Sequence, residues 1–109
     1  MRTTLLIFLL AACSSDDGAS PPTAPSNLAV SNVAGGGHLT WTDASDNEDE
    51  FVIMRRTLPA TAFDDIDMVP FDTTQYHDSA VVAGMTYIYT VAAINAEGEA
   101  TSNEVTFTP

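Results

Sequence analysis

Residues 87–93 read Tyr-Ile-Tyr-Thr-Val-Ala-Ala, and every second position from Tyr87 to Ala93 carries a tyrosine, valine or alanine. Successive side chains of a β-strand point to opposite faces, so this period of two predicts a strand with one buried face. β-Branched and aromatic residues also favour extended backbone over helix. The stretch therefore predicts a sheet whose core lies on the side of Tyr87, Tyr89, Val91 and Ala93.

The same alternation recurs on both sides of this strand. Short apolar segments are separated by glycine and asparagine turns, which is typical of an antiparallel sandwich. With residues 87–93 the sequence predicts seven strands in all. The other six contain Leu28 and Val30, Leu39 and Trp41, Phe51 to Arg56, Phe63 to Pro70, Tyr76, and Val105 with Phe107.

Length and charge limit what this sandwich can be. The 109 residues suffice for one domain, and three arginines against fifteen acids give a net charge of −12. Such an acidic chain repels phosphate backbones, so we expect no nucleic-acid partner. The chain has one cysteine, which excludes an internal disulfide and a cysteine-based zinc site. No cofactor is expected.

The N-terminus has the pattern of an export signal. Arg2 precedes the apolar run Leu5–Ala12, and small residues end it, so residues 1–12 are predicted to be a cleaved signal peptide. As a helix the run would rise roughly 12 Å, against a hydrocarbon core of about 30 Å, and could not span a bilayer.

Leu10-Ala11-Ala12-Cys13 resembles the lipobox of bacterial lipoproteins. The resemblance implies cleavage before Cys13 and acylation of that cysteine, which would anchor the protein to a membrane. Ser14, where retention in the inner membrane prefers aspartate, implies the outer membrane, on either its periplasmic face or the cell surface. An ordinary signal peptide followed by a chance cysteine is the alternative.

The segment after the cysteine is rich in serine, proline and acids. Residues 14–26 read SSDDGASPPTAPS and contain alanine as their sole apolar type, too little to build a core. We therefore predict a lipidated cysteine and flexible tether over residues 13–26, followed by the domain over residues 27–109.

Six short motifs of this domain, in this order and spacing, resemble fibronectin type III domains, above all bacterial ones. The resemblance covers residues 22–109 and implies an all-β, immunoglobulin-like sandwich of seven strands. Trp41 is expected in its core with the indole N–H on a backbone carbonyl, and Tyr87 in a tyrosine corner near Val81. The motifs are Pro25-Ser26-Asn27-Leu28, Leu39-Thr40-Trp41, Phe51-Val52-Ile53, Tyr76-His77-Asp78, Gly84-Met85-Thr86-Tyr87 and Asn95-Ala96-Glu97-Gly98.

The acidic loop at residues 43–50 is the strongest metal candidate in the sequence. Asp43, Ser45, Asn47 and Asp49 place oxygen ligands on alternate residues, as calcium loops do. However, Glu48 stands where an EF-hand requires glycine. A solvated turn, whose short side chains bond their own backbone, is the preferred interpretation, and no metal site is predicted.

Two other groups of polar residues invite a functional interpretation. His77, Asp78 and Ser79 resemble parts of a catalytic triad, but neighbours on a strand face opposite ways, so no catalytic residue is predicted. Arg55 and Arg56 are expected to neutralise acids across the sheet. On the same strand, Val52 and Met54 are expected to point outward as a small contact patch.

The predicted function is a non-enzymatic, membrane-tethered interaction or spacer module of the bacterial envelope. Its partner, a protein or a glycan, is not specified by the sequence. An accessory carbohydrate-binding module is the alternative, and it requires exposed aromatic rings for stacking. Phe63 and Phe71 are the rings expected outside the core.

Overall fold

A computed structural model describes residues 19–109, so the predicted signal peptide (1–12) and Cys13 lie outside the described residues. Among residues 19–109 no helix is long and apolar enough to cross a membrane. The described residues form the strands β1 (Ser26–Val33), β2 (Gly36–Thr42), β3 (Glu50–Thr57), β4 (Asp64–Pro70), β5 (Gln75–Asp78), β6 (Tyr87–Asn95), β7 (Gly98–Thr101) and β8 (Val105–Phe107).

The strands form two antiparallel sheets. The three-stranded sheet has the order β1-β2-β5, and the five-stranded sheet has the order β4-β3-β6-β7, with β8 also paired to β6. Strand β6, which contains the opening stretch, pairs with β3 on one side and with β7 and β8 on the other. The predicted all-β sandwich is confirmed.

The core lies between the sheets and uses the predicted faces. Trp41 contacts Phe51 across the sandwich, with ring centroids 5.7 Å apart in an edge-to-face arrangement. Aromatic pairs favour this geometry beyond the gain from area burial. The buried core consists of Leu28, Leu39, Trp41, Phe51, Ile53, Tyr87, Tyr89, Val91, Ala93 and Phe107.

The predicted seventh strand, with Val105 and Phe107, is β8, and the structure adds the strand β7, which the sequence analysis does not predict, so that the described residues form eight strands. Residues 102–104 form a break between β7 and β8. At the break, the Ser102 N–H donates to the Val91 carbonyl at 2.8 Å and the Ser102 Oγ accepts from the Val91 N–H at 3.0 Å. The Asn103 side-chain amide bonds both the N–H and the C=O of Leu28. The Ser102 side chain thus supplies a hydrogen bond to β6 where the strand is interrupted, and the Asn103 side chain links this break to β1 of the other sheet.

The run Gly35–Gly37 begins in the turn after β1, and its last residue also lets β2 approach β6 of the other sheet. Ala34 and Gly35 both have positive φ, 53° and 83°, in the turn between β1 and β2. Gly37 lies inside β2, where a Cβ atom would come within 2.9 Å of the Tyr89 hydroxyl. The missing side chain therefore leaves room for that tyrosine in the core.

Two expectations about aromatic hydrogen bonds have different outcomes. The Tyr87 hydroxyl accepts a hydrogen bond from the Val82 N–H at 2.8 Å, which confirms the tyrosine corner. The expected bond from Trp41 is wrong, because its buried Nε1 finds no hydrogen-bond partner among residues 19–109. The indole packs against Phe51 in an edge-to-face arrangement within the buried core.

The end of the predicted tether lies against the domain. Pro22 and Pro25 are buried, although the composition of residues 13–26 predicts a flexible segment. The Ser20 carbonyl accepts hydrogen bonds from the side-chain amides of Asn47 and Asn95 at 3.0 and 2.9 Å. Loop amides thereby hold the chain from residue 20 onward, a role that composition cannot reveal.

Candidate functional site

Three carboxylates converge at one end of the sandwich. Asp43 follows β2, Glu48 precedes β3, and Asp72 lies in the turn between β4 and β5. One oxygen of each lies within 4.8 Å of the corresponding oxygens of the other two. We call these three residues the carboxylate cluster.

Glu48 is the buried member of the carboxylate cluster. Its exposed fraction is 7%, its Oε2 accepts a hydrogen bond from the Asp72 N–H at 3.2 Å, and its Oε1 has no partner among the described residues. Burial, aided by the nearby Asp43 carboxylate, raises the pKa of Glu48 above its ordinary value although backbone N–H groups oppose the shift. Glu48 is therefore protonated more readily than a solvent-exposed glutamate.

The acidic loop is in part the turn that the sequence predicts. The Asp43 Oδ1 accepts from the Ser45 N–H at 3.1 Å, a bond typical of an Asx turn. Asp46 and Asp49 are exposed, and Asp49 does not belong to the carboxylate cluster. Of the two acids in the alternate series, Asp43 therefore belongs to the carboxylate cluster and Asp49 does not, and a further carboxylate comes from Asp72 in a second loop.

A second polar group connects the two sheets. Asp78 of β5 is 3% exposed, and its Oδ2 accepts from Arg55 of β3 at 2.7 Å and from the Tyr89 hydroxyl of β6 at 2.6 Å. Its Oδ1 accepts from the Ala80 N–H at 3.1 Å. We call Arg55, Asp78 and Tyr89 the inter-sheet network.

The protonation states of the inter-sheet network follow from its contacts. Burial alone would raise the pKa of Asp78, but the hydrogen bonds from Tyr89 and Arg55 outweigh it, and the pKa lies below the ordinary 3.8. Burial and the Asp78 carboxylate raise the pKa of Tyr89 well above its ordinary value. At neutral pH the network is therefore an ion pair joined to a neutral phenol.

This network explains why His77 and Asp78 do not form a catalytic pair. Both carboxylate oxygens of Asp78 are engaged on the core side, whereas His77 is exposed on the other face of β5. The His77 ring lies beside His38 of the neighbouring strand, with centroids 5.8 Å apart. The Asp78 carboxylate instead accepts from the backbone N–H of Ala80 in the following turn and forms the ion pair with Arg55.

The arginines differ in their surroundings. Arg55 neutralises an acid, as expected, but Asp78 belongs to the opposite sheet and not to a neighbouring strand. The Arg56 guanidinium donates to the Ala60 carbonyl at 3.0 Å and lies 5.4 Å from the centre of the Phe63 ring. Arg56 therefore shields Phe63, which is half-buried.

The predicted contact patch on β3 is largely covered. Val52 is 6% exposed, because it lies between its register neighbours Met68 of β4 and Ala92 of β6. The outward direction is as predicted, but the expectation that Val52 is exposed is wrong. The described large apolar side chains that are exposed lie elsewhere: Val33, Leu58, Met68, Phe71, Val82 and Met85.

Sequence reasoning missed the carboxylate cluster and the inter-sheet network. Asp72 lies 24 residues from Glu48 in a turn that attracts no attention by itself. The burial of Asp78 does have a signal in the sequence. Side chains alternate along a strand, so Asp78 lies on the same face as Tyr76 and on the opposite face from His77. Alternation therefore indicates which face of the sheet Asp78 lies on, but it does not indicate its partners, Arg55 and Tyr89, which belong to the other sheet.

No family model matches the sequence, and no curated protein matches it. Solved structures do. An Fn3-like protein from Clostridium thermocellum is 26% identical with a TM-score of 0.68, over 83% of this chain and 96% of that one. An FN3 domain of human collagen XX is 20% identical with a TM-score of 0.69, over 91% and 100%. Pectate lyase PelI from Erwinia chrysanthemi is 20% identical with a TM-score of 0.67, over 84% of this chain but 28% of the lyase.

These similarities and the sheet order define the class of protein, an immunoglobulin-like β-sandwich. Within that class, residues 19–109 contain a domain with the fibronectin type III fold, as the sequence motifs predict. Fold does not by itself assign function, which depends on the site that the fold carries.

Proposed function

We propose that the protein is a lipid-anchored, non-enzymatic module of the bacterial envelope that holds its fibronectin type III domain close to a membrane. The observation that carries the proposal is the sequence Leu10-Ala11-Ala12-Cys13 in front of a single domain of this fold. Acyl chains on Cys13 would contribute about 0.8 kcal/mol per buried methylene, so two or more chains would hold the domain on a bilayer.

The docked segment determines how far the domain stands from its anchor. Because the Ser20 carbonyl is bound by Asn47 and Asn95, six residues from Ser14 to Ala19 separate Cys13 from the held chain. Fully extended, they reach roughly 19 Å at about 3.1 Å each. The tether is thus short enough to keep the carboxylate-cluster end, where Ser20 docks, on the membrane side of the domain.

The net negative charge of the protein affects its contact with the membrane. After cleavage, two arginines against fifteen acids would leave a net charge of 2 − 15 = −13. Anionic headgroups would repel such a surface, so contact with the membrane would depend on the lipid and not on the protein surface. We place the protein at the outer membrane, on its periplasmic face or at the cell surface, because Ser14 follows the cysteine.

A non-enzymatic role is supported by the polar groups of the described domain. The buried carboxylate of Asp78 is occupied by Arg55, Tyr89 and Ala80, which leaves His77 without an orienting acid. The structures matched over nearly their full length include an Fn3-like protein and a collagen domain. We therefore propose a protein or glycan partner bound without chemical change.

Replacing Cys13 with alanine is expected to abolish lipidation. Metabolic labelling with a clickable palmitate should tag the wild-type protein, and Cys13→Ala should move it from the membrane fraction to the soluble fraction. Ser15→Ala is the matched control and should remain labelled. Palmitate incorporation that persists in Cys13→Ala would overturn the proposed anchor.

The pectate lyase similarity favours one alternative, an accessory carbohydrate-binding module. Against it, most aromatic rings of the described chain lie in the core, and Phe71, 61% exposed, is the ring best placed to stack on a sugar. A surface depression of about 510 Å³ beside the acidic loop is lined by Ser20, Pro21, Thr23 and Asp43–Asn47, none of them aromatic.

A glycan array distinguishes this alternative from the main proposal. We expect no polysaccharide binding that depends on the Phe71 ring at about 0.1 mM protein. Phe71→Ala tests the ring, and Val82→Ala is its control, because Val82 is 62% exposed and also apolar. Micromolar glycan binding that is lost in Phe71→Ala and retained in Val82→Ala would establish the carbohydrate-binding role.

A further inference from the structure

The carboxylate cluster has the composition of a cation site. Asp43, Glu48 and Asp72 each direct an oxygen into a region in which these atoms lie within 4.8 Å of one another. Two oxygens bound to calcium at 2.3–2.6 Å can be at most about 4.6–5.2 Å apart, on opposite sides of the ion. The spacing of the three oxygens therefore fits ligands of one calcium ion.

The buried carboxylate of Glu48 provides a second and independent indication. Glu48 is 7% exposed, and its Oε1 accepts no hydrogen bond from the described residues. Buried polar atoms are nearly always hydrogen-bonded or bound to an ion, since an unpaired one is costly. An acid at this position that served the turn alone would be expected to use both oxygens.

The described chain supplies no cationic side chain to the cluster. The guanidinium of Arg55 is paired with Asp78 at 2.7 Å, in the inter-sheet network. The guanidinium of Arg56 donates a hydrogen bond to the Ala60 carbonyl and lies over the Phe63 ring. These are the arginines of residues 19–109 and the protein has no lysine, so no arginine or lysine side chain of the described residues compensates the charge of the cluster.

We propose that Asp43, Glu48 and Asp72 bind a calcium ion that fastens the acidic loop to the turn between β4 and β5. Carboxylate oxygens are the ligands that calcium prefers, and water can complete its 6–8 positions on the exposed side of Asp72. Magnesium fits less well, because it demands near-octahedral geometry and gives up water reluctantly. The Asp72 N–H bond to Glu48 already holds the two loops in register.

The proposed site connects to the tether. Asn47 of the same acidic loop binds the Ser20 carbonyl at 3.0 Å. A cation that orders Asp43 and Glu48 on either side of Asn47 would also order the point at which the tether joins the domain. This inference does not depend on lipidation of Cys13 and concerns residues 19–109 alone.

Calcium binding is tested by titrating calcium chloride into the full-length protein and following thermal unfolding and titration heats. We expect saturable binding with a dissociation constant of about 0.1–1 mM, the range of extracellular calcium modules. The melting temperature should rise by about 5 °C or more at roughly 10 mM calcium. Magnesium and sodium at matched ionic strength should have smaller effects that do not saturate.

Matched charge variants locate the site. Glu48→Gln and Asp72→Asn keep the shape of the side chain and should each abolish the calcium-specific shift. Asp46→Asn and Asp49→Asn remove the same charge from the same loop outside the cluster and should leave the dissociation constant within about twofold. Glu48→Gln removes a repelling charge, so it is expected to fold and to remain informative.

Either of two results would overturn the assignment. Equal melting shifts with calcium, magnesium and sodium at matched ionic strength would mean that salt only screens the acidic surface. A calcium response lost in Asp49→Asn but kept in Glu48→Gln would instead assign binding to the alternate residues of the acidic loop.

Discussion

Replacing Asp78 with alanine is expected to destabilise the domain by about 3–5 kcal/mol, the usual cost of removing one partner of a buried ion pair. The substitution would leave the Arg55 guanidinium facing the core and the Tyr89 hydroxyl without its acceptor at 2.6 Å. The Arg55 side chain is 21% exposed, so water recovers part of the loss. Chemical denaturation of the full-length protein measures the change.

Two controls separate the network from the general removal of charge. Asp65→Ala removes an exposed acid of β4 and should change stability by less than about 0.5 kcal/mol. The double variant Arg55→Met with Asp78→Asn should cost less than the sum of the single variants, because neither charge is left alone. Additive losses would show that the pair has no mutual interaction.

The pH dependence of stability should report the same carboxylate. Asp78 has a folded pKa below its ordinary 3.8, so the native state binds its proton less readily than the unfolded state does. The stabilisation is therefore present above that ordinary value and is lost as pH falls through the folded pKa. In Asp78→Asn, the part of the fall in unfolding free energy at acid pH that comes from this carboxylate should disappear.

Replacing Trp41 with alanine is expected to cost about 3–5 kcal/mol, since it empties the largest aromatic position of the core. Trp41 is 5% exposed and packs edge-on against Phe51 from the opposite sheet. Domains of this size are stable by about 5–15 kcal/mol, so the variant would be marginal. Denaturant midpoints measure the loss.

Trp41→Phe is the informative companion variant. It keeps a ring against Phe51 and removes the indole Nε1, which has no hydrogen-bond partner in the described chain. We expect a loss of stability of only about 1–2 kcal/mol, because removing the buried, unpaired N–H group offsets part of the cost of the lost ring volume. Native fluorescence with the emission of a water-exposed indole would contradict the assigned strand faces.

The strands and their buried faces were predictable because they depend on local order in the chain. Alternation in residues 87–93 places Tyr87, Tyr89 and Val91 on the core side, and all three are buried. The tyrosine corner was predictable for a similar reason, since Val82 and Tyr87 are five residues apart. Short-range geometry leaves few choices for such contacts.

Composition was a less reliable guide to boundaries and exposure. Pro22 and Pro25 lie in a segment that has the composition of a tether, yet both are buried, and Asn47 and Asn95 hold the nearby Ser20 carbonyl. Val52 points outward as alternation requires, yet its neighbours on β4 and β6 cover it. Exposure depends on the neighbouring strands, which a period of two does not specify.

The sequence by itself determined the sandwich and the faces of its strands, because hydrophobic alternation and turn residues act over a few positions. Only the tertiary structure decided which polar groups meet. Asp78 finds Arg55 and Tyr89 across the core, and Glu48 finds Asp72 across two loops. These three contacts join residues that the chain separates by eleven or more positions. Their partners are fixed by how the two sheets and the connecting loops pack, a long-range property that no local pattern encodes.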